Sequence, residues 1–418
     1  MKVFPEAWEV CAADTVCSEI VDCLNKTAPI VEHDTGYRMI RTTNVRYGRV
    51  DVSDNRFVEE AVFRRWTRRA CPRLGDIVLS REAPLGEVGL LRSDAKVFLG
   101  QRTMLYRANP QRLDQHYLYY QMIGPYVQAV IHGQGSGSTV AHLRVPDAET
   151  LPIPMAPLSV QRKIAAVLAA YDELIEANRR RIELLKTLAE EIYREWFVRR
   201  RFPGHENAKI VKGVPQGWEQ RRLPEIANIT YGFPFDASRF NTDGRDRPII
   251  RIRNIPESST TDYTDEEAND KYVVRHGDLL VGMDGEFHIN HWHGDDAYLV
   301  QRVCRIEAKE PILESYLAHA IRAPIKHFES ILMGATVGHL GAMHLKSIVL
   351  LVPPEPLRGR LHILNDIHRQ KLSLAKASRN LAATRDRLLP RLISGKLSVE
   401  NLDIHIPPGM TEELEAVA

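Results

Sequence analysis

The chain has 418 residues, 44% of them hydrophobic, and its formal net charge at pH 7 is +2. At roughly 100 to 200 residues per domain this length predicts two or three globular domains, and the near-neutral charge argues against a uniformly basic protein that coats nucleic acid. The N-terminal MKVFPEAWEV lacks an apolar run, and no later segment approaches about 18 uncharged apolar residues. We therefore expect neither secretion nor membrane spanning and predict a cytoplasmic protein.

The first predicted domain, residues 1–157, starts with short β-like runs broken by glycine-rich turns, among them MIRTTNV at 39–45 and GDIVLS at 75–80. A short helical stretch follows and leads into the loop HGQGSGSTVAHL at 132–143. Residues 38–73 hold ten arginines against four acidic residues, a local balance of 10 − 4 = +6. This segment predicts a phosphate-binding surface, although charge runs are most often solvated faces.

A long helix, the first arm, is predicted at residues 158–202, between Pro157 and Pro203. At about 1.5 Å rise per residue, about 40 helical residues span about 60 Å, which exceeds the width of a small domain. Its apolar residues recur at alternating spacings of four and three, a coiled-coil pattern. The positions of this seam are Ile164, Leu168, Tyr171, Ile175, Asn178, Ile182, Leu185, Ala189, Ile192 and Trp196.

The second predicted domain, residues 203–355, repeats the first in the same order. PEAWE at 5–9 returns as PQGWE at 215–219, an offset of 215 − 5 = 210, and STVAHL at 138–143 returns as ATVGHL at 335–340, an offset of 335 − 138 = 197. Further short matches with similar offsets lie between these two. Ordered matches of this kind predict a duplicated domain.

The second arm is predicted at residues 356–396, before a C-terminal tail at 397–418. Its apolar residues recur at intervals of seven, at Ile367, Leu374, Leu381 and Leu388. Because the nearest candidate partner for each arm is the other arm, we expect an antiparallel coiled coil. The predicted fold class is α+β, with two similar α/β domains alternating with two long paired helices in a pseudo-two-fold arrangement.

This organisation resembles the DNA-specificity subunits of type I restriction-modification systems. The resemblance covers essentially the whole chain, and three segments carry it: LPIPMAPLSVQRKIAAVLAAYDELIEANRRRIELLKTLAEEIYREWFV at 151–198, VPQGWE at 214–219 and LLPRLISGKL at 388–397. It implies that each domain is a target recognition domain for one half of a split site in double-stranded DNA. It also implies that the helices fix the gap between the halves.

The resemblance further implies partners and their cofactors. Two modification (methyltransferase) subunits, which bind S-adenosylmethionine and methylate adenine, are expected on the helices, and restriction (endonuclease and translocase) subunits with ATP and Mg²⁺ are expected to join them. This subunit is expected to hold no cofactor and to have no catalytic activity. The chain contains no NPPF, NPPY or DPPY tetrapeptide and no GxxxxGKS or GxxxxGKT loop, which agrees with catalysis by the partners.

Candidate DNA contacts lie after apolar runs and in the glycine-rich loops, where arginine reads guanine, asparagine reads adenine and small residues allow the backbone to approach a phosphate. They are Arg38, Arg41, Asn44, Arg46, Ser136, Ser138, Thr139, His142, Arg251, Arg253, Asn254, His288, His291, Thr336 and His339. For any one of them a surface salt bridge or an ordinary turn is the alternative. For the recurring pairs Gln101-Arg102 and Gln301-Arg302 we favour a structural hydrogen bond.

Two other functions stay open at this point. One is a coiled-coil protein-protein scaffold that reads no DNA. The other is a metal-dependent nuclease built on the histidines of DGEFHINHWH at 284–293. Because the aligned segment EAPLGEVGLL at 82–91 has no histidine and no second ligand cluster accompanies the first, no metal site is predicted and a groove-facing loop is expected instead.

Overall fold

The structure, a computed structural model, describes residues 4–53, 56–134, 141–211, 213–332 and 338–407. The chain divides into a first unit, residues 1–174 with 381–418, and a second unit, residues 175–380. Both units mix helices with sheets, which confirms the predicted α+β class. No helix in the described ranges is long and apolar enough to cross a membrane. The predicted domain boundaries stay a prediction.

The first unit is organised around a six-stranded sheet. In spatial order its strands are Cys17–Asp22, Thr103–Ala108, Ile77–Arg81, Leu85–Leu90, Arg49–Val50 and Val45–Arg46. A three-stranded sheet contains Arg56–Phe57, Tyr37–Ile40 and Lys96–Leu99, and a two-stranded sheet pairs Glu9–Ala12 with Pro152–Met155. The strand Ile77–Arg81 is buried at every residue, because it has a neighbouring strand on each side and helices pack against the sheet.

The helices of the first unit cover this sheet. Their bounds are Ala13–Val16, Glu60–Trp66, Gln115–Ile123, Pro125–Gln134 and Val145–Glu149, with a 3-10 turn at Thr42–Asn44. Asp114 caps one helix, since its carboxylate accepts a hydrogen bond from the backbone N–H of Tyr117 at 2.9 Å. The buried Tyr117 hydroxyl donates to the carbonyl of Pro154 at 3.0 Å. The ring is therefore buried while its polar group stays satisfied.

The second unit has two larger sheets and two strand pairs. A four-stranded sheet has the order Ala227–Tyr231, Val303–Ala308, Leu279–Gly282 and Ile289–His291. A five-stranded sheet has the order Phe240–Asn241, Tyr263–Thr264, Arg247–Ile250, Ala297–Leu299 and Val273–Val274. The two-stranded sheets pair Glu219–Arg222 with Val349–Val352 and Ile210–Val211 with Val214–Pro215.

The helices of the second unit repeat contacts of the first. Their bounds are Leu223–Ile226, Glu314–Ala320, Arg322–Leu332 and Ala342–Ser347, with 3-10 turns at His205–Asn207, Ala237–Arg239, Ile252–Asn254, Asp270–Tyr272, Pro311–Leu313 and Arg358–Leu361. Tyr316 corresponds to Tyr117, and its hydroxyl donates to the carbonyl of Leu351 at 2.7 Å. The duplication read from the sequence is thus also a duplication of side-chain contacts.

The helix of the first arm spans Leu158–Tyr193 and continues as a π-helical turn at Arg194–Val198, and that of the second arm spans His362–Leu392. The N-terminal half of the first arm lies in the first unit with the C-terminal part of the second arm, and the opposite halves share the second unit. Since the start of each arm shares a unit with the end of the other, the two helices pair in an antiparallel way. Pro390 lies inside the second arm, where a missing N–H costs only one hydrogen bond near the helix end.

The predicted seams face inward within each unit. None of their positions is exposed: Ile164, Leu168, Asn178, Ala189 and Ile367 are buried, and Tyr171, Ile175, Ile182, Leu185, Ile192, Trp196, Leu374, Leu381 and Leu388 are partly buried. In the first unit the first-arm seam shares a hydrophobic core with Leu389 and Leu392. In the second unit it shares a core with Leu364. Full burial of a leucine or isoleucine side chain, as at Ile164 and Leu168, stabilises a fold by about 1.5 to 3 kcal/mol.

Candidate DNA interface

A 3-10 turn that follows a strand is built alike in both units. The amide oxygen of Asn44 accepts a hydrogen bond from the backbone N–H of Arg41 at 2.9 Å, and that of Asn254 accepts one from the N–H of Arg251 at 2.8 Å. Only 4% of Asn44 and 8% of Asn254 is exposed. The expectation that these asparagines read adenine is therefore corrected: they are enclosed by the fold and shape the turn that carries the arginines.

The arginines on and beside these turns differ in what they contact. Arg46 is exposed on its strand, and Arg41 is partly buried. The side chain of Arg253 is exposed and donates to both carboxylate oxygens of Asp262, at 2.5 and 2.8 Å. Arg251 lies 4.0 Å from the same carboxylate. Three of these guanidinium groups, those of Arg46, Arg251 and Arg253, thus reach solvent and suit phosphate or base contacts.

Arg38 is less suited to DNA contact than the sequence suggested. Its Nη1 donates to the carbonyl of Val52 at 2.9 Å, and its guanidinium lies over the ring of Phe57 at 5.4 Å from the ring centroid. Asp34 accepts from Nη2 at 3.3 Å. These contacts hold Arg38 within the first unit, so its predicted role as a DNA contact is not supported.

A carboxylate in the first unit joins an arginine and a histidine. Glu82 is ion-paired with Arg102, and Nδ1 of His142 lies 3.0 Å from Oε2 of Glu82. The backbone of residue 82 also bridges residue 142, and the N–H of Arg81 donates to the carbonyl of Arg102 at 2.8 Å. Burial, with the charges of Arg81 and Arg102, lowers the pKa of His142. We call Glu82, Arg102 and His142 the first triad.

The second unit contains the same arrangement. Asp284 accepts from Nε of Arg302 at 3.0 Å, and its Oδ1 lies 2.5 Å from Nδ1 of His339. Residues 284 and 339 form a backbone bridge, and the N–H of Met283 donates to the carbonyl of Arg302 at 2.9 Å. Asp284, Arg302 and His339 form the second triad. Residue types, backbone bridge and main-chain hydrogen bonds therefore match between the units, with Asp in place of Glu. The side-chain contacts differ, since Arg102 pairs through Nη1 and Arg302 through Nε, and Nδ1 of His142 has no hydrogen-bond partner among the described residues.

Each triad histidine lies at the C-terminal end of a glycine-rich segment. The predicted loop contacts Ser136, Ser138, Thr139 and Thr336 fall outside the described residues, so their predicted roles stay predictions. His142 and His339 are described, and the structure places them near Arg102 and Arg302. From the sequence, these two arginines were predicted to have a structural role and not to contact DNA.

Sequence reasoning missed the two carboxylates. Glu82 and Asp284 are separated by 284 − 82 = 202 residues, the offset that also relates GDIVLS to GDLLVG. The alignment of EAPLGEVGLL with DGEFHINHWH therefore contained the signal in its first residues. The sequence did not reveal a site there, because each carboxylate is brought to its arginine and histidine only by strand pairing and the backbone bridge.

A cavity of about 370 Å³ adjoins the second triad. Its lining includes Phe235, Phe240, Arg251, Gln301 and Arg302. The guanidinium of Arg251 lies 5.9 Å from the centroid of the Phe240 ring. Flat aromatic and guanidinium faces with an adjacent amide suit the face and edge of a nucleobase.

The histidines of the second unit do not form the groove-facing loop that we expected. His291 is buried, its ring centroid lies 3.9 Å from that of His368, and burial with the charge of His368 holds its pKa well below the usual range. His288 is partly exposed and lies 3.3 Å from Glu286. Among the described residues no group of three or more His, Cys, Asp or Glu side chains is placed to hold a metal ion. The predicted DNA contact by His291 is thus corrected.

Residues 68–187 and 215–375 match the profile of the type I restriction modification DNA specificity domain. The chain belongs to this family. The two matched segments lie in the two repeats, and the resemblance drawn from the sequence is confirmed. Specificity subunits are the non-catalytic components of type I systems, so the prediction that this chain is not an enzyme is confirmed. They act in a complex with the other restriction-modification subunits and DNA.

Individual relatives agree with this assignment. The chain is 24% identical to the type I restriction enzyme MjaIX specificity subunit of Methanocaldococcus jannaschii over 385 residues, which cover 86% of this chain and 85% of that protein. It is 29% identical to the EcoBI specificity subunit of Escherichia coli over 204 residues, 47% and 43% of the two chains. The crystal structure of the type I restriction-modification S subunit from M. genitalium has the same fold, with a TM-score of 0.57, 18% identity and coverage of 94% of this chain and 98% of that one.

Proposed function

We propose that this specificity subunit reads a bipartite target in double-stranded DNA, one half through each unit, and positions two adenine methyltransferase subunits and the restriction subunits on it. The observation that carries the proposal is the repeated triad, because each unit presents an ion-paired arginine at the same backbone crossing. A DNA duplex has its own two-fold symmetry. Two copies of one construction therefore suit two half-sites.

The surface charge of the first unit supports DNA binding. Seven arginines between residues 38 and 73 are exposed: Arg46, Arg56, Arg64, Arg65, Arg68, Arg69 and Arg73. Contacts to phosphate supply much of the affinity of DNA-binding proteins and make it depend on salt. The corresponding stretch of the second unit, residues 245–275, holds six basic against seven acidic residues. Either the phosphate contacts of the second unit lie outside this stretch, or the modification subunits would supply more of the affinity at the second half-site.

The arms would act as a spacer and as a docking surface for the modification subunits. S-adenosylmethionine would bind to those modification subunits, and ATP and Mg²⁺ would bind to the restriction subunits. The part of this chain in the mechanism is to bind and orient DNA, so that the target adenine of each half-site faces a methyltransferase.

The proposal is tested with the specificity subunit in complex with its modification subunits. Methylation profiling of DNA exposed to that complex should reveal two short specified blocks separated by an unread gap. A gel shift with this target and a scrambled duplex, repeated over a salt series, should show preference for the target and a steep loss of affinity with salt. Equal binding of both duplexes would favour the alternative, a protein-protein scaffold.

Replacement of residues 1–157 by those of a relative tests the assignment of half-sites. The profile of methylated sites should change in one block only, because the second unit is retained. The reciprocal replacement of residues 203–355 is the matched control and should change the other block. A change in both blocks after either replacement would contradict the assignment.

A further inference from the structure

We infer that each triad is a binding site for a backbone phosphate of DNA, in which Arg102 and Arg302 bind the phosphate and Glu82 and Asp284 are positioning residues. The inference rests on the proposed function, since it assumes that both units meet DNA. It adds that the two half-sites are anchored by the same chemistry, whichever bases each unit reads.

The exposure of the side chains separates the two roles. The side chains of Arg102 and Arg302 are 48% and 55% exposed, whereas those of Glu82 and Asp284 are 18% and 22% exposed. The carboxylates thus lie beneath the guanidinium groups. An arginine has five N–H donors, and Arg302 uses Nε towards Asp284. Its Nη groups can then donate to a phosphate, which accepts two parallel hydrogen bonds from a guanidinium.

The backbone fixes the place of each arginine. In the first unit the N–H of Leu143 donates to the carbonyl of Arg81 at 2.9 Å, while the N–H of Arg81 donates to the carbonyl of Arg102. In the second unit the N–H of Leu340 donates to the carbonyl of Met283 at 2.7 Å, which completes the same crossing. Three chain segments are therefore joined at one point in each unit. A phosphate bound there would contact a preorganised site.

A purely structural ion pair explains these observations less well. Ion pairs that are open to solvent contribute little to folding, and about half of the side-chain surface of each arginine is exposed. The triad histidines also follow, along the chain, the glycine-rich segments for which the sequence predicts a close approach of the backbone to DNA. A pair that only stabilised the fold would need neither this exposure nor this place.

The sign of a charge change tests the inference. Replacement of a carboxylate by its amide removes one negative charge near DNA, so electrostatics alone predicts tighter binding. Loss of a positioning residue predicts weaker binding. We therefore compare Asp284→Asn with Glu286→Gln. The second variant removes the same charge two residues further along the chain. The side chain of Glu286 is exposed, and among the described residues it contacts only His288.

For the complex with modification subunits on its profiled target, Asp284→Asn should weaken binding by about tenfold, the value of one charge-assisted hydrogen bond. Glu286→Gln should bind as tightly as the unmodified protein or more tightly. Arg302→Ala should lower affinity and reduce the slope of log affinity against log salt by about 1. Asp284→Glu should restore binding, because the first triad uses Glu in the same place.

The double variant Asp284→Asn with Arg302→Ala should bind no worse than Arg302→Ala alone, since the carboxylate acts through the arginine. Additive losses, or an unchanged salt slope in Arg302→Ala, would overturn the inference. Thermal unfolding of each variant detects any that misfolds, and Glu82→Gln with Arg102→Ala repeats the test in the first unit. If the unmodified complex shows no preference for its target, the proposed function fails; if it does and Asp284→Asn behaves like Glu286→Gln, only the phosphate site fails.

Discussion

Asp172 of the first arm and Arg385 of the second arm form a buried ion pair inside the first unit, with 2.5 Å between Oδ1 and Nη1. The side chain of Asp172 is 6% exposed, and it also accepts from the hydroxyl of Tyr120 at 2.7 Å. Arg92 lies 3.5 Å from the same carboxylate. One carboxylate therefore ties both arms to the core of the first unit.

Asp172→Asn should lower the free energy of unfolding of the first unit by about 2 to 4 kcal/mol, because two guanidinium groups lose a buried charged partner. Urea unfolding followed by fluorescence measures the change. The matched control is Glu173→Gln, an exposed position of the same helix within the first unit, where the expected change is below about 0.5 kcal/mol. An Asp172→Asn variant with the unmodified midpoint and slope would contradict this account.

Acid should destabilise the second unit through its buried histidines. Burial, reinforced by neighbouring positive charges, lowers the pKa of His293 and His319 from 6.5 to about 4 and that of His368 to about 3. Since the folded pKa values lie below the unfolded ones, the unfolded chain binds protons first. Stability should therefore be full above about pH 6.5 and fall as the pH drops towards 4.

Urea unfolding at pH 7.5 and pH 5 measures this dependence. His368→Gln should reduce the loss of stability between the two pH values, because one buried imidazole no longer titrates. His327→Gln, at an exposed position of the same unit, is the control and should leave the loss unchanged. Equal pH dependence in all three proteins would rule out His368 as a source of it.

Asn44→Ala should destabilise the first unit by about 1 to 2 kcal/mol, the cost of losing a side-chain cap on a turn. The base preference of its half-site should persist, because Asn44 is enclosed by the fold. Thr43→Ala changes the exposed neighbouring residue and serves as control for stability. Loss of an adenine from the recognised block, with stability unchanged, would restore Asn44 as a base reader.

Removal of one heptad from each arm tests the spacer role. Deletion of residues 178–184 together with 373–379 shortens the pair by about 10 Å, or about 3 base pairs, and keeps the seven-residue repeat in phase. Methylation profiling should show a shorter unread gap between unchanged blocks. Deletion from the first arm alone should instead lower stability, since it shifts one seam against the other. Altered blocks in the double deletion would refute the spacer role.

The sequence predicted features that depend on regular spacing. The seam from Ile164 to Trp196 was predictable because a period of 3.5 residues determines which face of a helix is apolar. The duplication was predictable because matching segments recur in order. Both are properties of the chain read along its length.

The features that sequence reasoning missed depend on the direction of side chains. Asn44 and His291 have residue types suited to DNA contact, yet the turn and the strand direct both into the protein. Glu82 and Asp284 became meaningful only when sheet pairing brought them to Arg102 and Arg302. Residue type and spacing specify neither the burial of Asn44 and His291 nor the pairing of the carboxylates with the arginines, since both depend on tertiary packing.

The first unit takes its core from both ends of the chain. Leu392, Ile393 and Val399 belong to the same hydrophobic core as the N-terminal strands, and the amide of Gln121 donates to the carbonyl of Ile393 at 3.0 Å. During translation, residues 1–174 leave the ribosome long before residue 399 is synthesised. The apolar core of the nascent first unit therefore stays uncovered until the second unit has been synthesised. A pause or truncation late in translation would leave the N-terminal half prone to aggregation.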